Sequence, residues 1–214
     1  MNTKQTLSAA LCGFALISSA LAAHACYSGL TIVPTADVLE HREWSIEYQV
    51  DGAFSPLTGT TNLLNTQTGV ANRLELGIDI DLNRKSETRA LLNGKVKLWD
   101  DDARGRAVAA GIHNVGAKLT SIPYVVGSAA VGKGRLHAGL QQAEGAWQGF
   151  VGADADLTER LTIMADYTPG KPFASSIGAN YRITDRVEVM AGAVIPNAGG
   201  KTGYALHLVY GGRW

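Results

Sequence analysis

Apolar and polar residues alternate along most of this chain with a period of two. From Arg73 to Leu82, Leu74, Leu76, Ile78, Ile80 and Leu82 share one face, while Arg73, Glu75, Gly77, Asp79 and Asp81 share the other. Successive side chains of a strand point to opposite sides, so such a segment is a strand with one apolar and one polar face. The pattern recurs: Trp44, Ile46, Tyr48 and Val50 oppose Ser45, Glu47, Gln49 and Asp51; Leu92, Val96 and Leu98 oppose Asn93, Lys95 and Lys97; Val187 and Val189 oppose Arg186 and Glu188; Leu206, Leu208 and Tyr210 oppose His207. Gly or Pro interrupts most windows long enough for a helix. The alternation predicts about twelve strands (ten to fourteen), near 44–54, 61–70, 73–82, 89–98, 105–113, 122–131, 134–141, 147–155, 160–168, 174–183, 186–195 and 203–213.

Three segments repeat a turn ending in Arg that restarts a strand: Val70-Ala-Asn-Arg-Leu-Glu-Leu-Gly, Leu157-Thr-Glu-Arg-Leu-Thr-Ile-Met and Ile183-Thr-Asp-Arg-Val-Glu-Val-Met. Short polar turns of this kind join antiparallel neighbours. Further turns are expected at 100–105 and 132–134, and mostly longer connections between them, such as 113–121, 168–172 and 196–202. Short turns alternating with longer loops predict an up-and-down antiparallel barrel.

Two arrangements satisfy the alternation. A soluble barrel or sandwich turns its apolar face inward, whereas a transmembrane barrel turns it to lipid and keeps a polar lumen. Charges on the polar face can pair across neighbouring strands, Glu75, Asp79 and Asp81 facing the region of Lys95 and Lys97, as a polar lumen would favour. Glu188 and His207 belong to the same inward set, and Gly77, Gly178 and Gly192 leave room there for long charged side chains. Most strands approach the roughly 9–11 residues a tilted membrane strand needs. The last strand carries Tyr204, Leu206, Leu208, Tyr210 and Trp214 on one face. A terminal strand closing on an aromatic residue resembles the assembly signal of bacterial outer-membrane barrels, with Tyr210 and Trp214 as its aromatic members. Trp and Tyr are favoured at the membrane border. If Trp214 lies on the periplasmic side, so do the short turns.

The first segment bears on the compartment. Lys4, an apolar run from Leu7 to Leu21, and Ala23-His-Ala25 are the parts of a secretory signal peptide over residues 1–25. The expected division is then a signal peptide (1–25), an N-terminal extended segment (26–43) and an outer-membrane barrel (44–214). Cys26 would stand first after the cut. A lipid-anchored N-terminus is one reading of it; a mature chain that simply begins with Cys is the other and the preferred one.

The opening Gly29-Leu-Thr-Ile-Val-Pro-Thr-Ala-Asp-Val-Leu39, followed by Trp44-Ser-Ile-Glu-Tyr48, resembles the Gly-Leu-x-x-x-Pro-Thr-Ala opening of the YjbH-like outer-membrane proteins, with Gly29, Leu30, Pro34, Thr35 and Ala36 at the motif positions. That resemblance covers about 25 residues. It implies a barrel associated with exopolysaccharide production and export, and export components as partners. Members of that family usually carry Gly shortly before the first long strand, where this chain has His41-Arg-Glu43. Read from residues alone, Pro34-Thr-Ala is an edge or turn segment ahead of the barrel.

Composition narrows the rest. With 19 basic and 19 acidic residues among 214, the chain lacks the basic surplus of a nucleic-acid binder. No His-x-x-x-His or Cys-x-x-Cys spacing occurs, so neither a metal nor another cofactor is expected. Of the histidines, His137 and His207 face inward, where an isolated histidine reads as a hydrated pore residue; Ser128, Ser175 and Ser176 lie on other strands, and Gly132-Lys-Gly134 is a turn. The expected function is a non-enzymatic outer-membrane barrel, supporting exopolysaccharide export or envelope structure, or passing small solutes. Outer-membrane lipid and the barrel-assembly machinery are its expected partners. The alternatives are an outer-membrane lipid hydrolase using His137 or His207, and a soluble periplasmic ligand-binding barrel.

Overall fold

A computed structural model describes residues 28–54, 60–83, 89–116, 120–143 and 145–214. The proposed signal peptide and Cys26 lie outside the described residues. Twelve strands are present: β1 (Glu43–Ala53), β2 (Thr61–Ala71), β3 (Leu74–Asp81), β4 (Arg89–Asp101), β5 (Arg106–Val115), β6 (Ile122–Val131), β7 (Gly134–Ala143), β8 (Ala146–Asp156), β9 (Leu161–Tyr167), β10 (Ala174–Thr184), β11 (Val187–Pro196) and β12 (Gly203–Arg213). Each pairs antiparallel with its sequence neighbour, and β12 returns to β1 in a register running from Glu43↔Arg213 to Ala53↔Gly203. Closure leaves no unpaired sheet edge, the condition for strands in hydrocarbon. The only helix among the described residues is one 3-10 turn at Asp102–Arg104.

The Arg-ending turns fold as the repeat predicts. Connections 72–73, 102–105, 132–133, 157–160 and 185–186 lie at one end, with the C terminus, and are termed here the turn end. The connections at the other end, the loop end, are longer except at 144–145. Gly105 and Gly132 hold φ values of 58° and 62° in these turns, a left-handed conformation that costs glycine nothing.

Face assignments follow the pleat. Leu74, Leu76, Ile78, Leu92, Val96, Leu98, Ile163, Ile177, Leu206 and Leu208 are exposed on the outer wall, while Glu75, Asp79, Lys95 and His207 are buried on the inner one. A continuous exposed apolar belt has a physical account in lipid and none in water. Aromatic residues stand near both its borders. Towards the turn end are Trp44, Trp99, Tyr181, Tyr210 and Trp214; towards the loop end are Phe54, Trp147, Tyr167 and Tyr204. Trp44 meets Tyr210 edge to face with centroids 5.4 Å apart, and Phe54 lies 5.6 Å from Tyr204.

Candidate functional site in the barrel lumen

The inner wall is of mixed character, with buried polar residues all round it and apolar ones gathered on β5 to β12. Strands β1–β4, with β12, present Ser45, Glu47, Gln49, Asp51, Asn65, Gln67, Glu75, Asp79, Asn93, Lys95 and His207, all buried. Strands β5, β6, β8, β9, β11 and β12 contribute Ala109, Tyr124, Val126, Phe150, Met164, Met190, Val194 and Ala205 to one apolar cluster that includes Leu30, Ile32, Val33 and Ala36. The lumen is therefore not uniformly polar. Alternation marks which residues point inward, but Gly, Ala and single apolar residues on that face carry no signal of what they will meet there.

What they meet is the N-terminal segment. Residues 28–42 do not precede the barrel as an edge strand or turn; they fold back into the lumen and plug it. A small loop closes through Leu30 N–H donating to the Val33 carbonyl (2.9 Å) and a bridge between Gly29 and Pro34. This presses Leu30, Thr31 and Ile32 against the far wall. A methyl group on Gly152 would lie 2.4 Å from Leu30 Cδ1, and one on Gly178 2.8 Å from Thr31 Oγ1. Gly178 and Gly192, expected to make room for long charged side chains, instead make room for the Thr31 side chain of the plug. At the exit a methyl on Gly69 would fall 1.9 Å from the Glu40 carbonyl oxygen. Arg42 takes φ 71° as the chain turns from plug into β1.

Polar contacts complete the seat. Wall carboxylates accept backbone N–H groups of the plug: Asp166 from Ile32 (3.1 Å) and Glu75 from Leu39 (2.8 Å). Lys95 Nζ donates to the carbonyls of Ser28 (3.0 Å) and Asp37 (2.7 Å) and to the Ser28 hydroxyl, with Glu75 4.0 Å away. The expected pairing of Glu75 with Lys95 is present, and the plug is clamped between them. Arg135 bridges Asp37 (2.7 Å) and Asp154 (2.8 Å). Burial pushes the Asp37 carboxyl up, but the charge of Arg135 and hydrogen bonds from Thr35 and Arg135 outweigh it and leave its pKa below the ordinary 3.8.

The other inward residues are placed as follows. Asp79 is bonded by Asn65. Asp81 lies at the loop end, capping the Asn83 N–H (2.9 Å). Lys97 sits at the turn end, 4.0 Å from Asp100. Glu188 accepts from Asn180 (2.6 Å) and Arg182 (3.2 Å). His207 spans Glu47 (2.6 Å) and Asp51 (3.2 Å). It is thus a buried cross-link between carboxylates rather than a hydrated pore residue.

His137 corrects the same expectation. Its Nδ1 lies 2.7 Å from Ser128 Oγ and its Nε2 3.0 Å from Asp154 Oδ2. Sequence separation hid this Ser–His–Asp set, which forms because β6, β7 and β8 are neighbours and Ser128 pairs with His137. A Ser–His–acid set suggests nucleophilic catalysis. Here, however, Ser128 Oγ also accepts the Ala36 N–H (2.9 Å), and Asp154 is held by Arg135. The chain of bonds starts at Ala36 and ends at Asp37, both in the plug. Its visible work is to latch that segment. Among the described residues no group of three or more His, Cys, Asp or Glu is placed to hold a metal ion.

With the plug seated, the recess lined by Gln67, Glu75, Asn93, Lys95, His113 and Tyr124 leaves no room for a water-sized body.

No protein-family model matches the chain, and no curated protein matches it in sequence. Among solved structures it is similar to the KdgM porin in complex with disordered oligogalacturonate (TM-score 0.60, 13% identity, 78% of this chain and 98% of that one). It is likewise similar to the NanC porin (TM-score 0.61, 11% identity, 77% and 98%). At such identities the likeness is one of fold: a closed twelve-stranded antiparallel barrel of the outer-membrane porin type.

Proposed function

We propose that this chain is a non-enzymatic outer-membrane barrel that passes small solutes and is held shut by its own residues 28–42. The observation that carries the reading is the pairing of an apolar outer belt with a lumen filled by a segment that no strand pairs with. A segment needed only as a membrane anchor would have no reason to be seated on wall carboxylates, glycines and a lysine clamp. In this reading the turn end faces the periplasm, Trp214 and Tyr210 serve recognition by the assembly machinery, and the plug enters from the periplasmic mouth.

The porin likeness supports a passage role but does not bring a substrate with it. Oligogalacturonate, present in the KdgM complex, is a polyanion. This wall carries buried Glu47, Asp51, Glu75, Asp79, Asp154 and Asp166 against the cations Lys95 and Arg135. An association with exopolysaccharide export follows from the Gly29–Ala36 resemblance, and loss of secreted polysaccharide on deleting the gene is its test.

The Ser128–His137–Asp154 set favours a second reading, a lipid hydrolase. Lipid release that disappears in Ser128→Ala would support it; a Ser128→Ala change that only loosens the plug supports the latch. For the main reading, the protein should fractionate with outer membranes and migrate differently on gels before and after boiling. Liposomes containing a variant lacking residues 28–39 should swell in small sugars while those with the intact chain do not. Equal, negligible swelling with both proteins folded would refute passage.

A further inference from the structure

We infer that the lumen, once the plug leaves, selects for cations. This rests on the passage reading above and adds the charge class of the solute. The buried acids of the wall outnumber its cations. The apolar cluster, from Ala109 to Val194, carries no charge of its own. Around it, Glu47, Asp51, Glu75 and Asp79 stand on β1 and β3, and Asp154 and Asp166 on β8 and β9. Lys95 and Arg135 oppose them within the lumen, with His207 between Glu47 and Asp51, while Lys97 is tied to Asp100 at the turn end.

The present partners of these carboxylates belong in part to the plug. Asp166 holds Ile32 N–H, Glu75 holds Leu39 N–H and the Ser28 hydroxyl (3.1 Å), and Asp154 shares Arg135 with Asp37. Displacement strips those donors away without removing a single wall carboxylate, and takes Asp37, the plug acid paired with Arg135, with it. A second observation points the same way. One carboxylate oxygen of Glu47 has no hydrogen-bond partner although the residue is only 3% exposed. Its other oxygen is engaged by His207. An inward carboxylate oxygen left unpaired is an acceptor awaiting a donor from the lumen. Water entering the opened lumen solvates the wall carboxylates. Fixed charges of one sign lining a narrow low-dielectric passage concentrate counter-ions and exclude co-ions. The closed barrel is thus a cation passage in which two acids, Glu75 and Asp166, are occupied by the plug's own N–H groups.

The test is the reversal potential of single channels in a potassium chloride gradient. Two plug-side variants leave the wall charges intact: the chain lacking residues 28–39, and full-length Leu30→Asn with Ile32→Asn, which removes only apolar grip. Voltage-driven openings of the unaltered chain supply a third source should either variant fold poorly. Potassium should permeate several-fold better than chloride in all of them. Adding Asp79→Asn and Asp166→Asn to an open variant should bring the ratio towards one. A ratio at or below one in the open variants overturns cation selectivity and leaves passage standing. Folded, heat-modifiable variants that never conduct overturn passage, and the selectivity with it.

Discussion

Lys95→Met isolates the strength of the plug's seat. The Lys95 side chain is 1% exposed, and its Nζ holds the Ser28 carbonyl, the Ser28 hydroxyl and the Asp37 carbonyl, with Glu75 4.0 Å away. Methionine keeps the length and most of the volume but removes every donor. Glu75 then remains buried against the plug without its cation, keeping only Leu39 N–H and the Ser28 hydroxyl. Removing one partner of a buried pair costs about 3–5 kcal/mol. In the unseated state water reaches Glu75, so the cost falls almost wholly on seating. Because two donors to Glu75 survive, the lower end applies, about 3 kcal/mol. At about 1.4 kcal/mol per factor of ten, the unseated population should rise roughly a hundredfold. Val33→Cys, at a position 1% exposed within the plug, reports that population through its reaction with a membrane-impermeant maleimide in a Cys26→Ser background. Labelling in the Lys95→Met variant should be faster by that factor, and adding Glu75→Gln should recover part of the loss by removing the stranded charge. An unchanged labelling rate would refute the clamp, and with it the claim that ionic contacts at β3 and β4 seat the segment.

Arg42→Gly should stabilise the plug–β1 junction by about 1 kcal/mol, because φ 71° strains every residue but glycine; slower labelling of the same cysteine checks it. The Asp37–Arg135 pair makes a pH-dependent contribution to seating. Since Asp37 titrates below 3.8 in the seated state, that contribution is complete above this value and is lost as pH falls through the lowered one. Labelling, taken relative to that of a fully exposed cysteine at the same pH because only the thiolate reacts, should therefore accelerate in acid, and less so in Asp37→Asn. Trp214→Asp should lower the outer-membrane fraction and leave protein in the periplasm, whereas Trp214→Phe is tolerated, since the ring ends the lipid-facing row of β12 at the membrane border; fractionation decides, and normal membrane levels of the Asp variant would show that the terminal ring carries no assembly signal.

The barrel was legible in the sequence because each strand is specified locally. In Leu74–Asp81, period-two alternation between an apolar and a polar solvent fixes the outward face without reference to any other strand, and the Arg-ending repeats fix where hairpins turn. The inward positions of Glu75, Asp79, Lys95 and His207 follow from the same pleat. Their partners do not. His207 lies on β12 and Glu47 on β1, so only closure of the ring brings them together. The Ser128–His137–Asp154 set needs three adjacent strands in one register. The plug is least legible of all. Gly29–Ala36 contains no strand alternation and no helical period, and its apolar residues look like those of any short edge segment. What makes Leu30, Ile32 and Val33 interior residues is a second apolar surface assembled from single positions on β5, β6, β8, β9, β11 and β12, far apart in the chain. Local pattern determines which side of a strand a residue occupies; only the closed barrel determines what fills the space that those inward sides enclose.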